Sequence, residues 1–188
     1  KWAFRKPLPA MAAIHTVAFD FDGVFTDNRV LVDQDGRESV ACDRRDGLAF
    51  DLVRVFQARG ALNAELFILS KEANPVVLAR ARKMRLTCYH GIGDKLTFMR
   101  EHLARRSSTG ADSLAGVIYL GNDLNDLPLM RHVGYSVAPA DAHPMVRAIA
   151  HLVLDEPGGS ACVRAFIERL LGINNLTDEE IDELVSDR

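Results

Sequence analysis

Two carboxylates stand close together near the start of the chain, at Asp20 and Asp22, and Gly23 follows them directly. Carboxylates at this spacing repel each other unless a cation lies between them. Mg²⁺ prefers oxygen ligands, usually one or two carboxylates completed by phosphate and water oxygens. The glycine lets the backbone turn sharply and approach a ligand. Taken alone, such a pair is also typical of a turn whose aspartates cap a helix.

A second acidic cluster favours the metal site over the turn. Asn122, Asp123 and Asp126 lie in one short segment that follows Gly121. Where oxygen donors arrive from two separate strand ends, a shared cation site explains both clusters better than two unrelated turns. The two segments together therefore predict a magnesium site.

Two further residues have the right chemistry to hold a phosphate beside that metal. The hydroxyl of Ser70 can donate a hydrogen bond to a phosphate oxygen, and Lys95 can neutralise the charge of a phosphoryl group. Separately, each has an ordinary explanation, because hydroxyls are common at strand ends and lysines are common on solvated helix faces. The interpretation depends on their meeting the acidic segments in the fold.

Three of these polar segments follow short apolar runs rich in β-branched residues, which predict buried strands. The predicted strands cover residues 14–19, 65–69, 116–120, 134–138 and 151–154. Helices are predicted at residues 47–58, 74–84, 94–105, 124–131, 142–150, 161–171 and 177–185, with a loop at 106–112. Asp35-Gly36, between the extended segments 29–33 and 38–43, predicts a β-hairpin.

Short strands that alternate with helices predict an α/β fold, in which a central parallel sheet is covered by helices on both faces in a Rossmann-like three-layer sandwich. Ligands bind beyond the carboxyl ends of such strands, where Asp20, Ser70 and Asn122 would lie. The 188 residues fit one domain. We place it at residues 14–188, after a flexible N-terminal extension at residues 1–13.

Composition excludes several classes of protein. A net charge of −3 and a pI of about 6.1 argue against a nucleic-acid partner. No apolar run approaches the roughly 18 residues of a membrane span, and the N-terminus does not resemble a signal peptide. Cys42, Cys88 and Cys162 are widely spaced, which argues against a disulfide framework or zinc site and predicts a cytoplasmic protein with reduced thiols.

The ordered motifs resemble the haloacid dehalogenase (HAD) superfamily of phosphatases over about residues 17–171. The resemblance rests on Asp20-x-Asp22-Gly-Val-x-Thr-Asp27, Leu69-Ser70, Asp94-Lys95 and Gly121-Asn122-Asp123-x-x-Asp126. Within the superfamily, the sequence most resembles the capless group that contains 3-deoxy-manno-octulosonate 8-phosphate phosphatases. The features that carry this closer resemblance are the hairpin after the first motif, Arg45-Asp46-Gly47, Asp94-Lys95-Leu96, residues 139–144 and Gly158-Gly159.

The resemblance implies a role for each motif residue. Asp20 would attack phosphorus and form an aspartyl phosphate, and Asp22 would act first as general acid and then as general base. Ser70 and Lys95 would hold the phosphoryl oxygens. The implied ligands and orienting residues of Mg²⁺ are Asp20, Asp22 through its backbone carbonyl, Asn122, Asp123 and Asp126.

The resemblance also implies a substrate, a small phosphorylated 2-keto-3-deoxy sugar acid. Glu72 and Lys83 are similar to the nine-carbon, sialic-acid-type branch rather than the eight-carbon branch. A carboxylate can accept hydrogen bonds from sugar hydroxyls, and a lysine can pair with a substrate carboxylate; a surface salt bridge is the alternative explanation. Arg45 and Asp46, which open the following helix, are carried over as further substrate-binding residues.

Capless members of this group are similar in forming homotetramers, in which the hairpin and a neighbour's C-terminal segment close the active site. Val30, Leu31, Val32, Val40 and Ala41 would supply the apolar hairpin surface for that contact. The alternative is a hairpin packed on its own domain.

Asn122 departs from the family pattern, which usually has a charged metal ligand at this position. The amide oxygen can coordinate Mg²⁺ but brings no charge, so either Asp123 replaces it or metal binding weakens. Asn122 therefore also supports an alternative hypothesis, a weakly active or inactive domain that serves the oligomerisation or regulation of a sialic-acid-activating cytidylyltransferase. A phospho-accepting receiver domain fits less well, because the acidic pair of a receiver precedes its acceptor strand.

Overall fold

The computed structural model describes residues 3–4, 6–106 and 113–187. Nine strands are present in this part of the chain: β1 (Ala3–Phe4), β2 (Thr16–Phe19), β3 (Leu31–Val32), β4 (Glu38–Ser39), β5 (Glu65–Leu69), β6 (Thr87–Tyr89), β7 (Val117–Leu120), β8 (Tyr135–Ala138) and β9 (Leu152–Val153). The α-helices are α1 (Arg45–Ala58), α2 (Pro75–Met84), α3 (Lys95–Arg106), α4 (Leu127–Met130), α5 (Pro144–Ile149), α6 (Cys162–Leu171) and α7 (Asp178–Ser186).

Seven of these strands form one sheet in the order β1-β9-β8-β7-β2-β5-β6. Six run parallel, and β1 pairs antiparallel with β9. Strand β2 lies in the middle, where Phe19 pairs with Ile68 on one side and Leu120 on the other. This register brings the carboxyl ends of β2, β5 and β7 together, and the predicted α/β sandwich is confirmed.

Helices cover both faces of the sheet because its central strands are apolar on both sides. Phe19 packs in one core with residues of α1, α2, α6 and α7, whereas its neighbour Ala18 packs in the other with residues of α3, α4 and α5. All four residues of β2 are buried. A strand buried on both faces has a continuous apolar pattern rather than an alternating one.

Strand β6 was absent from the sequence-based prediction. It has only three residues, and Thr87 at its start is exposed, so it lacks the apolar run that marks the other strands. The predicted helix at 124–131 is divided into a 3₁₀ turn at Leu124–Asp126 and α4. The predicted capping box of α7 is confirmed, since Thr177 and Glu180 exchange hydrogen bonds. Residues 107–112 of the predicted loop lie outside the described residues.

A two-stranded hairpin, β3 and β4, follows the segment after β2 and lies outside the main sheet. Its strands are shorter than predicted, and its turn is held by Asp33, whose Oδ1 accepts from the amides of Asp35 and Arg37. Val30, Leu31 and Val32 are all exposed. No cap domain covers the sheet in the part of the chain that the structure describes.

Part of the N-terminal segment lies against the domain. β1 pairs with β9, Lys6 Nζ donates to the carbonyl of Gly134 at 3.0 Å, and the Tyr135 hydroxyl donates to the carbonyl of Lys6 at 2.8 Å. The domain boundary at residue 14 stays a prediction. No helix among the described residues is long and apolar enough to span a lipid bilayer.

Candidate active site

Asp20 is the first residue beyond the central strand. Its backbone amide continues the ladder by donating to the carbonyl of Leu120 at 2.9 Å, and its side-chain Oδ1 accepts from the Phe21 amide at 2.8 Å. Gly23 has φ +77°, in the left-handed region that a residue with a Cβ avoids. The chain therefore turns away immediately, which leaves the Asp20 carboxylate at the edge of the sheet.

Lys95 connects Asp20 to the fourth motif. Its Nζ lies 2.9 Å from Asp20 Oδ1 and 2.7 Å from Asp126 Oδ1, and it contacts the Tyr119 hydroxyl at 2.9 Å. The Tyr119 hydroxyl in turn donates to Asp126 Oδ1 at 2.7 Å. Lys95 is only 2% exposed, so this cation is withdrawn from water and held in one place by its anionic neighbours.

Both carboxylate oxygens of Asp126 are occupied by bonds within the chain. Oδ1 accepts from Lys95 and Tyr119, while Oδ2 accepts from the backbone amides of Asn122 and Asp123. The side chain is fully buried. These bonds orient Lys95 and the Asn122 loop, and the role of Asp126 in completing and orienting the metal shell stays a prediction.

Asn122 has a buried amide oxygen of the kind that can ligate a cation. Its Oδ1 is buried and has no hydrogen-bond partner among the described residues, a situation that costs free energy unless some other group satisfies the oxygen. A Cβ on Gly23 would lie 1.9 Å from Asn122 Nδ2, so the amide fits closely against the turn after Asp20. An amide oxygen beside a carboxylate fits Mg²⁺.

The described residues contain no group of three or more His, Cys, Asp or Glu side chains arranged to hold a metal. A site built from Asp20, the amide of Asn122 and the backbone carbonyl of Asp22 has fewer acidic side chains than that. These three groups are the ligands that the resemblance to HAD phosphatases predicts for the ion.

Burial and neighbouring charges together set the pKa values of Asp20 and Lys95. Burial, with the nearby Asp126 carboxylate, raises the pKa of Asp20 to about 7, although Lys95 opposes the rise. Burial by itself would lower the pKa of Lys95, but the adjacent Asp20 and Asp126 carboxylates outweigh it and raise that pKa. Asp22 is less enclosed, and burial together with Glu72 raises its pKa.

An open cavity of about 260 Å³ lies over these groups. It is lined by residues from the segments that follow β2, β5 and β7, namely Asp20, Asp22, Asn28, Ser70, Lys71, Glu72, Asn122, Asp123 and Asn125. Ser70 is buried, and its Oγ accepts from the Glu72 amide at 3.2 Å. Asp123 lies at the cavity wall, where its Oδ1 accepts from the Leu124 amide. Most of the predicted site residues therefore meet at one place.

Comparisons with known proteins agree with this arrangement. The sequence model of the haloacid dehalogenase-like hydrolase family matches residues 101–163. The 3-deoxy-D-manno-octulosonate 8-phosphate phosphatase KdsC of Yersinia pestis is 32% identical over 161 residues, which are 85% of this chain and 81% of that protein. The chain belongs to the KdsC-like family of HAD phosphatases.

Solved structures support the family assignment. A protein described as a HAD family hydrolase from Streptomyces avermitilis is 40% identical with a TM-score of 0.78, covering 90% of this chain and 98% of that one. A 3-deoxy-D-manno-octulosonate 8-phosphate phosphatase from Yersinia pestis is 30% identical with a TM-score of 0.76, covering 88% and 85%. The predicted superfamily and the prediction of a phosphatase are both confirmed.

Three residues predicted to bind substrate lie outside the cavity of this phosphatase. Arg45 is exposed and pairs with Asp43. Asp46 is fully buried, and its Oδ1 accepts from the Arg164 amide at 2.9 Å, so it joins α1 to α6. Lys83 is exposed on α2 and lines a different depression. Within one chain, none of the three shares the cavity of Asp20.

Sequence reasoning missed Tyr119 and Asn28. Tyr119 stands in an apolar strand, where tyrosine is ordinary, so nothing in the pattern distinguishes its hydroxyl as a partner of Lys95 and Asp126. Asn28 adopts φ +65° and lines the cavity. Asparagine tolerates this left-handed conformation better than most residues, and its place shortly after the first motif was the available signal.

Proposed function

We propose that this phosphatase is a Mg²⁺-dependent phosphomonoester hydrolase that acts through an aspartyl phosphate on a 2-keto-3-deoxy sugar acid phosphate. The observation that carries the proposal is the position of Asp20. It lies at the end of the central strand, is held by buried Lys95, and lines one cavity with Asn122, whose buried amide oxygen has no hydrogen-bond partner among the described residues. A carboxylate in this position is an oriented nucleophile, with Lys95 and the proposed metal ligand Asn122 beside it.

The reaction has two displacement steps. An oxygen of Asp20 forms a bond to phosphorus while the bond from phosphorus to the ester oxygen breaks, and Asp22 donates a proton to the departing alkoxide. Asp22 then accepts a proton from water, whose oxygen attacks phosphorus and displaces the Asp20 carboxylate. The bonds at Asp20 from Lys95 and Phe21 are both to Oδ1, so Oδ2 is the attacking atom.

Positive charge offsets the phosphoryl group in this mildly acidic protein. Lys95 is fixed between Asp20 and Asp126, so no reorganisation is needed as charge moves during the reaction. Ser70 contributes a hydroxyl at the end of β5. Mg²⁺, held by Asp20, the Asp22 carbonyl and Asn122 with Asp123 nearby, would supply Lewis-acid neutralisation of the phosphate oxygens.

We propose the phosphate of the nine-carbon acid as the preferred substrate of the enzyme, and that of the eight-carbon acid as the alternative. The curated relative and the solved structure from Yersinia pestis described above are both named for the eight-carbon acid. The preference for nine carbons rests on Glu72, which lines the cavity, and on Lys83. Glu72 would accept hydrogen bonds from sugar hydroxyls, whereas Lys83 lies outside this cavity.

We propose that Lys83 reaches the substrate from a neighbouring copy in a homotetramer. It lines a depression of about 400 Å³ with Arg44, Arg54, Arg80 and Arg85, and with one acidic residue, Asp51, which pairs with Arg54 and Arg85. A strongly basic surface suits a substrate carboxylate, and this depression is separate from the Asp20 cavity of the same chain. The exposed Val30, Leu31 and Val32 of the hairpin would pack against another copy. We place the enzyme in the cytoplasm.

The proposal is tested by phosphate release from a panel of sugar phosphates that includes both acids, with and without Mg²⁺. We expect one acid phosphate to be hydrolysed in the presence of Mg²⁺, and Asp20→Asn to lower kcat by at least about 10³-fold, because the amide cannot attack phosphorus. Asp155→Asn serves as the control, because Asp155 is exposed and does not line the cavity; this variant should keep the parental activity. Silence of the folded parent protein across the panel would contradict the enzyme and favour an assembly role.

A further inference from the structure

A second cavity, of about 240 Å³, lies between the hairpin and the start of α2. It shares three lining residues with the cavity of Asp20, namely Asp22, Asn28 and Glu72. The two spaces therefore adjoin along this shared wall. A phosphate bound at Asp20 would place the atoms next to its ester oxygen at the entrance of the second space, which is called the hairpin cavity below.

The hairpin cavity has an apolar part and a charged part. The apolar residues are Phe21, Val30, Val40, Val76 and Val77. The polar residues are Asp22, Arg29, Glu38, Glu72 and Asn74, with Asn28. Three acidic residues and one arginine thus line this cavity. A chain of hydroxyl-bearing carbons has C–H groups for the apolar part and hydroxyl donors for the carboxylates, whereas a second anion would meet like charge.

Asn74 holds one of these carboxylates in place. Its Oδ1 accepts from the Val76 amide at 3.0 Å and thereby caps α2. With that oxygen committed, its Nδ2 donates to Glu38 Oε2 on β4. Glu38 is exposed on the hairpin, and this bond is what ties its carboxylate to the body of the protein.

We propose that Glu38, positioned by Asn74, determines specificity for the part of the substrate next to the phosphoester. The hairpin cavity receives the hydroxyl-bearing carbons adjacent to the phosphate and rejects a second anionic group there. This inference rests on the proposed phosphatase site. It assigns the carboxylate of a sugar acid to a different surface, away from the hairpin cavity.

The test compares two small phosphate esters that differ at one group, glycerol 3-phosphate and 3-phosphoglycerate. Both have a hydroxyl next to the phosphorylated carbon, but the second ends in a carboxylate. We expect the parent protein to favour glycerol 3-phosphate by about tenfold in kcat/KM, because like charge in a confined site disfavours the anion. Equal kcat/KM values would overturn the inference.

Variants then assign the discrimination to Glu38. Glu38→Gln removes the charge, and Asn74→Ser keeps a helix-capping side chain while removing the amide donor. We expect Glu38→Gln to reduce the ratio about fivefold or more, mainly by improving 3-phosphoglycerate, and Asn74→Ser to reduce it by a smaller factor. Asp35→Asn, in the hairpin turn outside the cavity, should keep the parental ratio. A ratio unchanged in Glu38→Gln, or reduced equally in Asp35→Asn, would overturn the assignment.

A binding experiment separates this inference from the proposed function. Calorimetric titration of both esters into Asp20→Asn protein with Mg²⁺ measures recognition without turnover. A preference for glycerol 3-phosphate that Glu38→Gln weakens would support the inference even if the parent hydrolysed neither ester. Equal affinities in both proteins would overturn it even if hydrolysis were fast.

Discussion

At the scale of the residue, Asn122 is the position where the sequence departs from the pattern that the resemblance to HAD phosphatases implies. The amide oxygen is buried and unsatisfied among the described residues, although the loop around it is held by Asp126. Burying an unpaired oxygen is costly, so its retention beside the nucleophile fits a ligand. Without a negative charge, however, the electrostatic attraction to a divalent cation is weaker.

Asn122→Asp should therefore strengthen Mg²⁺ binding. We expect the Mg²⁺ concentration for half-maximal phosphate release to fall about tenfold, because the new carboxylate adds charge at a buried oxygen without changing the side-chain shape. The matched control is Asn125→Asp, a second asparagine that lines the same cavity. Equal effects of the two variants would show that general charge, rather than coordination at residue 122, is responsible.

At the scale of the element, a tight contact between two loops positions Asp22. Gly158 packs on the turn after β2, where a Cβ would lie 2.0 Å from the carbonyl oxygen of Gly23. Its neighbour Gly159 has φ +72° and donates its amide to the carbonyl of Val24. Both contacts are with backbone, which cannot yield as a flexible side chain would, so the glycines fix where the turn lies.

Gly158→Ala should disturb this turn. We expect the free energy of unfolding to fall by about 1–3 kcal/mol, as in other overpacked sites, and kcat to fall because Asp22 moves with the turn. Urea denaturation and phosphate release measure the two effects. Gly47→Ala is the control, since a Cβ there meets nothing within 4 Å. Parental activity in Gly158→Ala would contradict a positioning role for this contact.

Asp46 shows how an element-level contact can depend on pH. It joins α1 to α6 through the Arg164 amide, and its Oδ2 is buried without a partner among the described residues. Burial raises the pKa of Asp46 to about 6. The folded state thus holds this proton more tightly than the unfolded state, and stability falls as pH rises between about 4 and 6.

Asp46→Asn should remove the loss of stability that accompanies ionisation of Asp46 as pH rises. The variant keeps an acceptor for the Arg164 amide but carries no charge, so its free energy of unfolding should exceed the parental value by up to about 3 kcal/mol above pH 7, and by little near pH 4. Urea denaturation across this pH range provides the measurement.

Asp51→Asn, on the same helix, is the opposite control. Burial alone would raise the pKa of Asp51, but hydrogen bonds from Arg54 and Arg85 outweigh it and lower that pKa. Removing this carboxylate should destabilise the protein near neutral pH. A difference between Asp46→Asn and the parent that does not change with pH would contradict the linkage.

At the scale of the whole molecule, the question is how Lys83 and the Asp20 cavity act together. They lie in separate depressions of one chain, and the hairpin presents Leu31 with 72% of its surface exposed. Symmetric assembly is the common way for a surface patch on one copy to complete a site on another. In the proposed tetramer, a complete active site therefore requires Asp20 from one chain and Lys83 from another.

Co-expression of Asp20→Asn and Lys83→Ala chains should restore activity that neither variant has alone. In random assemblies, roughly a quarter of the sites would combine an intact Asp20 with an intact Lys83 from the neighbour. Asp20→Asn mixed with Asp22→Ala is the control, because those residues belong to the same chain's site. Light scattering measures the assembly. No recovery in the first mixture, or a monomer by scattering, would contradict the proposal.

The sequence by itself determined the layout of the site. Asp20, Ser70 and Asn122 each follow an apolar run that predicts a buried strand, and parallel strands bring their carboxyl ends to one edge. The order of the motifs also indicated the superfamily, because the four motifs follow one another along the chain as they do in HAD phosphatases. Such local patterns survive in the sequence because burial on both faces of a strand demands continuous apolar residues.

Tertiary structure decided which of the candidate residues act together. Asp126 and Asn122 both offer oxygen atoms by type. Only the fold shows that Asp126 is saturated by Lys95, Tyr119 and backbone amides, while Asn122 Oδ1 has no partner in the part of the chain that the structure describes. Asp46 likewise has the side chain of a binding residue, yet packing encloses it between two helices. Hydrogen-bond saturation and burial depend on neighbours distant in sequence, so no local pattern contains them.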